Sequence, residues 1–158
     1  MPRLFFVSEA NIFKISRYQY KLKMSLKSKG SNAERELLHM FWAKGWATIR
    51  SAGSGSMKYP GPDLLVGKKE VNRRLAVECK TSKSEKIYLS EWDFSQLKDF
   101  SDTFDARPWF AVKFAKKQWL FVSLEDLDKT PKGYVIDLKV AELRGITFEE
   151  LITYQTNK

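Results

Sequence analysis

The feature that most constrains the fold is a pair of short apolar runs that carry acidic residues and flank a polar turn. Asp63 opens the first run, and the second leads into Glu78-Cys79-Lys80. Two such runs around a polar segment are typical of a β-hairpin. Because successive side chains of a strand point to opposite faces, Glu78 and Lys80 share one face while Cys79 points to the other. The sequence therefore predicts two charged groups projecting together from an otherwise apolar strand.

These residue types suit the hydrolysis of a phosphodiester. If Asp63, preceded by Pro62, starts its strand, it converges with Glu78 on one hard cation such as Mg²⁺, with Mn²⁺ as a substitute. Lys80 is then placed to orient or deprotonate the attacking water and to offset charge on the phosphorane. The plain alternative is an edge strand with a solvated Glu/Lys face and a turn-forming Pro-Asp. The complete pattern favours a nuclease site over that alternative.

The charge of the chain agrees with a polyanionic partner. Its 28 Lys and Arg residues outnumber 19 Asp and Glu residues, which gives a net charge of +9. This balance favours nucleic acid, although ribosomal and membrane-surface proteins share it. No apolar run approaches the ~20 residues of a membrane span, so we expect a soluble protein without a membrane partner. For a protein that acts on nucleic acid, we expect a cytoplasmic, nucleoid-associated location. The single cysteine, Cys79, excludes an internal disulfide and suits a reducing compartment.

The length predicts one catalytic domain preceded by a short extension. A chain of 158 residues accommodates a single ordinary core. Residues 1–23 differ in character, and we expect them to be an N-terminal extension, either loosely attached or the product of an upstream start assignment. Residues 24–158 form the predicted nuclease domain.

The first helix and the loop after it offer two more candidate residues. Ser31, three residues before Glu34, predicts a capping box, and Gly45 ends the predicted helix. Glu34 in the first turn is either a capping carboxylate or a third metal ligand, if this helix packs across the hairpin. Residues 51–61 form a Gly/Ser-rich loop that contains Ser54. The loop is either a plain connection or a segment that approaches the scissile phosphate.

The order of elements predicts a mixed α/β fold. A helix begins at Ser90, with Glu91 and Asp93 in its first turn, and residues 109–114 and 118–122 read as strands. Residues 134–138 and 147–154 offer a further strand and a short helix. Up to residue 122 the order is α, β, β, β, α, β, β, which favours a central sheet with helices packed on it over a helical bundle.

The ordered set of motifs carries a family resemblance. From about residue 27 to residue 152, the chain resembles the archaeal Holliday junction resolvases of the PD-(D/E)xK nuclease superfamily. The residues that carry the resemblance are Lys29-Gly30, Glu34-Arg35, Ile49-Arg50-Ser51-Ala52-Gly53-Ser54, Pro62-Asp63, Val77-Glu78-Cys79-Lys80, Tyr88-Leu89 and Ala111-Val112-Lys113-Phe114. Together they are far more specific than the PD and ExK motifs alone.

The resemblance implies a restriction-endonuclease-like fold, a central mixed β-sheet flanked by helices. It also implies that Glu34, Asp63 and Glu78 bind the catalytic metal, that Lys80 supports the nucleophile and that Ser54 acts from a mobile loop. The helix that begins at Ser90 receives no catalytic role, because family members differ there and some carry Gln near the position of Asp93. Candidates for contacts with DNA phosphates are Lys27, Lys29, Arg35, Arg50 and Lys58.

The resemblance further implies a homodimer that introduces paired nicks into four-way junction DNA and leaves 5′-phosphate ends. A two-fold dimer presents two copies of one site, which matches the approximate symmetry of a junction. Selectivity would come from the shape of the junction rather than from its bases. Alternatives are another nuclease of this fold acting on duplex or flap DNA, a non-catalytic junction-binding protein, and a basic ribosome-associated domain.

Overall fold

A six-stranded mixed sheet and a smaller three-stranded sheet organise the chain. The computed structural model describes the backbone of residues 17–51 and 58–153, and side chains from residue 30 onward within those ranges. The helices are α1 (Arg17–Ala43), α2 (Glu91–Phe104), α3 (Leu138–Arg144) and α4 (Phe148–Thr153). The strands are β1 (Ala47–Arg50), β2 (Leu64–Lys68), β3 (Arg73–Ser82), β4 (Lys86–Ser90), β5 (Arg107–Phe114), β6 (Leu120–Val122), β7 (Asp128–Thr130), β8 (Gly133–Asp137) and β9 (Ile146–Thr147).

The larger sheet has the strand order β1-β2-β3-β5-β6-β9, and the smaller has the order β4-β8-β7. Within the larger sheet only β3 and β5 run parallel. Strand β3 is therefore central and hydrogen-bonded along both edges. The predicted class, a central mixed sheet flanked by helices, is confirmed. No helix in the described part of the chain combines the length and the apolar character that crossing a bilayer requires.

Two cores form because β3 is apolar on both faces. Leu75 and Val77 lie in one core with Leu37 and Phe41 of α1. Ala76, on the opposite face, lies in the other core with residues of α2, β5 and the small sheet. Alternation along the strand produces this division. The polar residues that follow Val77 are consequently held by a strand that packs on both sides.

The end of α1 agrees with the sequence prediction, but its start does not. Gly45 adopts a φ of +74° just after the helix, where its N–H donates to the carbonyl of Trp42 at 3.0 Å. The capping box predicted at Ser31 is wrong, because the helix runs from Arg17 and places Ser31 and Glu34 in its interior. A cap satisfies N–H groups that have no preceding turn, and here residues 17–30 supply that turn.

The hairpins were predicted correctly, whereas the small sheet was not. Strands β2 and β3 pair antiparallel, as do β5 and β6. Strand β4 was missed, and it pairs with β8 from the last third of the chain. Ser90 caps α2 as expected, with a complete capping box to Asp93.

Gly133 is essential to the small sheet. It has a φ of +147°, and a Cβ atom built on it would overlap the carbonyl oxygen of Leu89. We expect Gly133→Ala to lower the free energy of unfolding by about 3 kcal/mol, through backbone strain and this overlap. The control is Gly30→Ala, because Gly30 lies inside α1 with open space around it, so the change should raise stability by up to about 1 kcal/mol. Urea unfolding of both variants measures the difference, and equal effects would contradict the prediction.

Candidate active site

The hairpin register brings Asp63 next to Glu78. Leu64 pairs with Val77, so the residue before Leu64 meets the residue after Val77. The Asp63 side chain accepts a hydrogen bond from the backbone N–H of Cys79 at 2.8 Å. Asp63 and Glu78 are both buried, each only 6% exposed. The register therefore places these two carboxylates side by side, close enough for the charge of Asp63 to act on Glu78.

Glu78 and Lys80 share a face of β3, as the alternation predicted. Lys80 Nζ lies 3.3 Å from Glu78 Oε1. The other carboxylate oxygen, Glu78 Oε2, is buried without a hydrogen-bond partner. Cys79 lies on the opposite face, where it packs against the core that α1 covers. A buried carboxylate oxygen without a partner is costly, and it marks a place where a positively charged group would be stabilised.

The electrostatics of Glu78 agree with this geometry. Burial and, after it, the charge of Asp63 raise the pKa of Glu78 from 4.5 to about 7, although Lys80 acts in the opposite direction. Lys80 therefore offsets only part of the electrostatic cost of burying the two carboxylates side by side. Perturbed acids of this kind cluster at functional sites. A bound cation would therefore stabilise the negative charge of Asp63 and Glu78.

Lys80 has a second partner that the sequence analysis did not assign. Its Nζ lies 2.8 Å from Asp93 Oδ1, at the first turn of α2. Burial lowers the pKa of Lys80, but Glu78 and Asp93 more than compensate, so the pKa lies above its ordinary value. The two acidic neighbours therefore favour the charged ammonium form of Lys80. The capping pattern Ser90-x-x-Asp93 was visible in the sequence, but no sequence signal indicated a contact with Lys80.

Glu34 lies on the α1 side of Asp63 and is paired with Arg50. Arg50 Nη1 lies 3.2 Å from Glu34 Oε2, and both side chains are largely buried. Burial and the nearby Asp63 charge raise the pKa of Glu34, while Arg50 and Arg35 partly offset this rise. Glu34 is therefore close enough to Asp63 to sense its charge.

The three predicted metal ligands are not gathered into one cluster. Within the described residues, no group of three or more His, Cys, Asp or Glu side chains is placed to hold a metal ion. Asp63 adjoins Glu78, whereas the Glu34 carboxylate is turned to Arg50. The assignment of all three as ligands stays a prediction.

The remaining predicted residues are exposed or lie outside the described part. Arg35, next to Glu34 on α1, is exposed, and so is Lys58 at the end of the Gly/Ser-rich loop. Ser54 and the side chains of Lys27 and Lys29 lie outside the described residues. Their roles stay predictions.

A mixed sheet whose central hairpin carries an aspartate, a glutamate and a lysine in this order defines a nuclease of the restriction-endonuclease-like class. A family model described as archaeal Holliday junction resolvase (hjc) matches residues 25–158. The chain belongs to the archaeal Holliday junction resolvase family.

Individual relatives agree with the family assignment. The chain is 38% identical over 132 residues to the crossover junction endodeoxyribonuclease Hjc of Archaeoglobus fulgidus, covering 79% of this chain and 96% of the relative. It is 40% identical over 124 residues to the Hjc protein of Methanocaldococcus jannaschii, covering 78% and 86%. The solved structure of Archaeoglobus fulgidus Hjc, described as a Holliday junction resolvase, superposes with a TM-score of 0.71 at 35% identity, covering 77% of this chain and 98% of that one.

Proposed function

We propose that this protein is an endodeoxyribonuclease that resolves four-way DNA junctions by paired, divalent-cation-dependent hydrolysis of phosphodiester bonds. The observation that carries the proposal is the buried Glu78 Oε2 atom, which has no hydrogen-bond partner and lies on a carboxylate destabilised by burial and by the charge of Asp63. Oxygen donors with uncompensated negative charge suit Mg²⁺ or Mn²⁺.

Asp63 and Glu78 would hold the cation, with Glu34 as the third ligand. When bound, it would polarise the phosphodiester and make a coordinated water more acidic. The donor set fits such a cation because it consists of carboxylate oxygens. Glu78 is held on the central strand β3, and Asp63 directly precedes the neighbouring strand β2. The cation would also lower the pKa of Glu78, because opposite charges favour the ionised form.

The side chains of the chain have separate tasks in this mechanism. Lys80, protonated and partly buried, orients the attacking water and offsets charge on the phosphorane. The backbone N–H of Cys79 fixes Asp63, and Arg50 holds Glu34. The hydrogen bond to Asp63 comes from a main-chain group of a central strand, so its geometry is preorganised.

Junction DNA as the substrate is supported by the family and by the charge of the chain. The net charge of +9 suits a phosphate backbone. Arg35, whose charge acts on Glu34, and Lys58 are exposed and available to phosphates. We assign phosphate contacts to Lys27, Lys29 and Arg50 as well, and a role near the scissile phosphate to Ser54, as parts of the same proposal.

A homodimer is the proposed working unit. Large apolar side chains remain exposed on β4 and α2, including Tyr88 at 71% and Trp92 at 59%. Aromatic residues of this kind are enriched in subunit interfaces. Two copies related by a two-fold axis would present two sites to the two strands that must be cut. Sedimentation equilibrium checks this, with a mass of twice 18.4 kDa expected.

The test incubates the protein with end-labelled four-way junction or with linear duplex of matched sequence, each with Mg²⁺ or EDTA. We expect paired nicks in the junction only, and only with Mg²⁺. Binding should weaken with salt at a log-log slope of roughly 0.9 per phosphate contacted. Equal cutting of duplex would indicate a general nuclease, and binding without cleavage would indicate a structural junction-binding protein.

A further inference from the structure

We propose that Asp93 is the positioning residue for Lys80, and that it keeps the lysine ammonium from closing onto Glu78. The inference rests on the proposed function of this site and concerns a helix to which the family resemblance assigned no role. Lys80 Nζ is nearer to Asp93 Oδ1, at 2.8 Å, than to Glu78 Oε1, at 3.3 Å. The ammonium group is therefore shared between the two acids, with the closer contact on α2.

A lysine needs such a hold because its ammonium ends a flexible four-carbon chain. Without Asp93, the nearest negative group is Glu78, whose Oε2 atom has no hydrogen-bond partner. The ammonium would then move onto the Glu78 carboxylate and neutralise it. That carboxylate would lose the charge with which it attracts a cation, and the lysine would leave the position from which it meets the substrate.

Asp93 is itself held rigidly by its second oxygen. Its Oδ2 accepts hydrogen bonds from the Ser90 N–H at 2.8 Å and from Ser90 Oγ at 2.5 Å. The Asp93 N–H donates in return to Ser90 Oγ at 3.0 Å. The capping box thus engages one carboxylate oxygen and fixes the other toward Lys80. The side chains of Lys80 and Asp93 are only 28% and 22% exposed, so solvent screens this contact less than it screens a surface ion pair.

The capping role alone does not account for this arrangement. A cap needs one acceptor on Asp93, and that requirement is met by Oδ2. The contact of Oδ1 with Lys80 joins α2 to β3 across 13 residues of sequence. Separate variants can therefore test the capping role and the contact with the lysine.

The experiment compares Asp93→Asn with Ser90→Ala and Asp102→Asn. Asp93→Asn removes the charge that holds Lys80. Ser90→Ala removes the hydroxyl contacts of the cap but keeps the Asp93 carboxylate and the backbone N–H of residue 90 that holds its Oδ2 atom. Asp102→Asn breaks an exposed ion pair with Lys98 on the same helix and serves as the matched control. We expect Asp93→Asn to lower the single-turnover rate of junction cleavage roughly 10- to 100-fold, with the junction Kd in EDTA changed less than about twofold. Ser90→Ala should lower the Tm but keep the rate within about threefold, and Asp102→Asn should change neither the rate nor the Kd.

A second readout does not depend on cleavage. Calorimetric titration of the DNA-free protein with Mn²⁺ should show roughly tenfold weaker binding for Asp93→Asn than for the wild type. In a Lys80→Met background the same substitution should have little effect, because there is no ammonium to release onto Glu78. This loss of effect would show that Asp93 acts by positioning Lys80. If Asp93 acted only through its own negative charge, the effect on Mn²⁺ affinity would persist in the Lys80→Met background.

A wild type that does not cut junctions refutes the proposed function, while the Mn²⁺ titration still tests the role of Asp93. A wild type that cuts, together with an Asp93→Asn variant of equal rate and equal Mn²⁺ affinity, overturns this inference alone. It is also overturned if the Asp93→Asn effect on Mn²⁺ persists with Lys80→Met, or if Ser90→Ala loses as much rate as Asp93→Asn.

Discussion

Replacing Glu78 by glutamine is expected to lower the rate of junction cleavage at least about a thousandfold, while the affinity for the junction stays within about twofold. Glutamine preserves the shape of the side chain but removes the charge that, with Asp63, would hold the cation. The positive groups proposed to contact DNA are unchanged by this substitution. Single-turnover cleavage with excess enzyme measures the rate, and filter binding in EDTA measures the affinity.

The matched control is Glu85→Gln, which removes the same charge from the exposed turn between β3 and β4. It should cut junctions at the wild-type rate, because this side chain is solvated and distant in sequence from Asp63. If Glu78→Gln retained a tenth or more of the wild-type rate, Glu78 would not be a ligand on which the reaction depends. If it lost binding together with cleavage, the residue would contribute to DNA affinity instead.

The same substitution should alter how stability depends on pH. Glu78 has a pKa of about 7 in the folded protein, against 4.5 for the ordinary side chain. The folded state therefore binds this proton more tightly, so the contribution of Glu78 to stability falls as the pH rises from about 4.5 to about 7. By linkage, the wild type should lose about 3 kcal/mol relative to Glu78→Gln between about pH 4 and about pH 8.

Urea unfolding of both proteins in EDTA at several pH values measures this difference. Titrating groups away from this site contribute equally to both proteins and cancel in the comparison. Adding Mg²⁺ at about pH 8 should return stability to the wild type and not to Glu78→Gln, because a ligand stabilises the state that binds it. A difference between the two proteins that does not change with pH would contradict the assigned environment of Glu78.

Local patterns were sufficient to predict the centre of the molecule. Alternation along β3 placed Glu78 and Lys80 on one face, and the two apolar runs predicted their hairpin. Both follow from interactions between neighbours in sequence, and the structure confirms both. The start of α2 at Ser90 was predictable for the same reason, since a capping box is a four-residue signal.

Features that depend on distant segments were not predictable. Strand β4 pairs with β8, which begins more than forty residues later, and nothing in either short run indicated that pairing. The apparent cap at Ser31 was misleading, because a local signal does not reveal whether helix precedes it. The contact between Lys80 and Asp93 requires the angle at which α2 leaves the small sheet, and that angle is a property of the packed molecule.

The pairing of Ser90 with Gly133 in the small sheet bears on how the protein can be divided. A fragment ending after β6 would contain Glu34, Asp63, Glu78 and Lys80 together with every other motif that carries the family resemblance. It would lack β8, the strand against which Ser90 is aligned before α2 begins. We therefore expect such a fragment to carry every recognition motif and yet to lose the arrangement that brings Asp93 to Lys80.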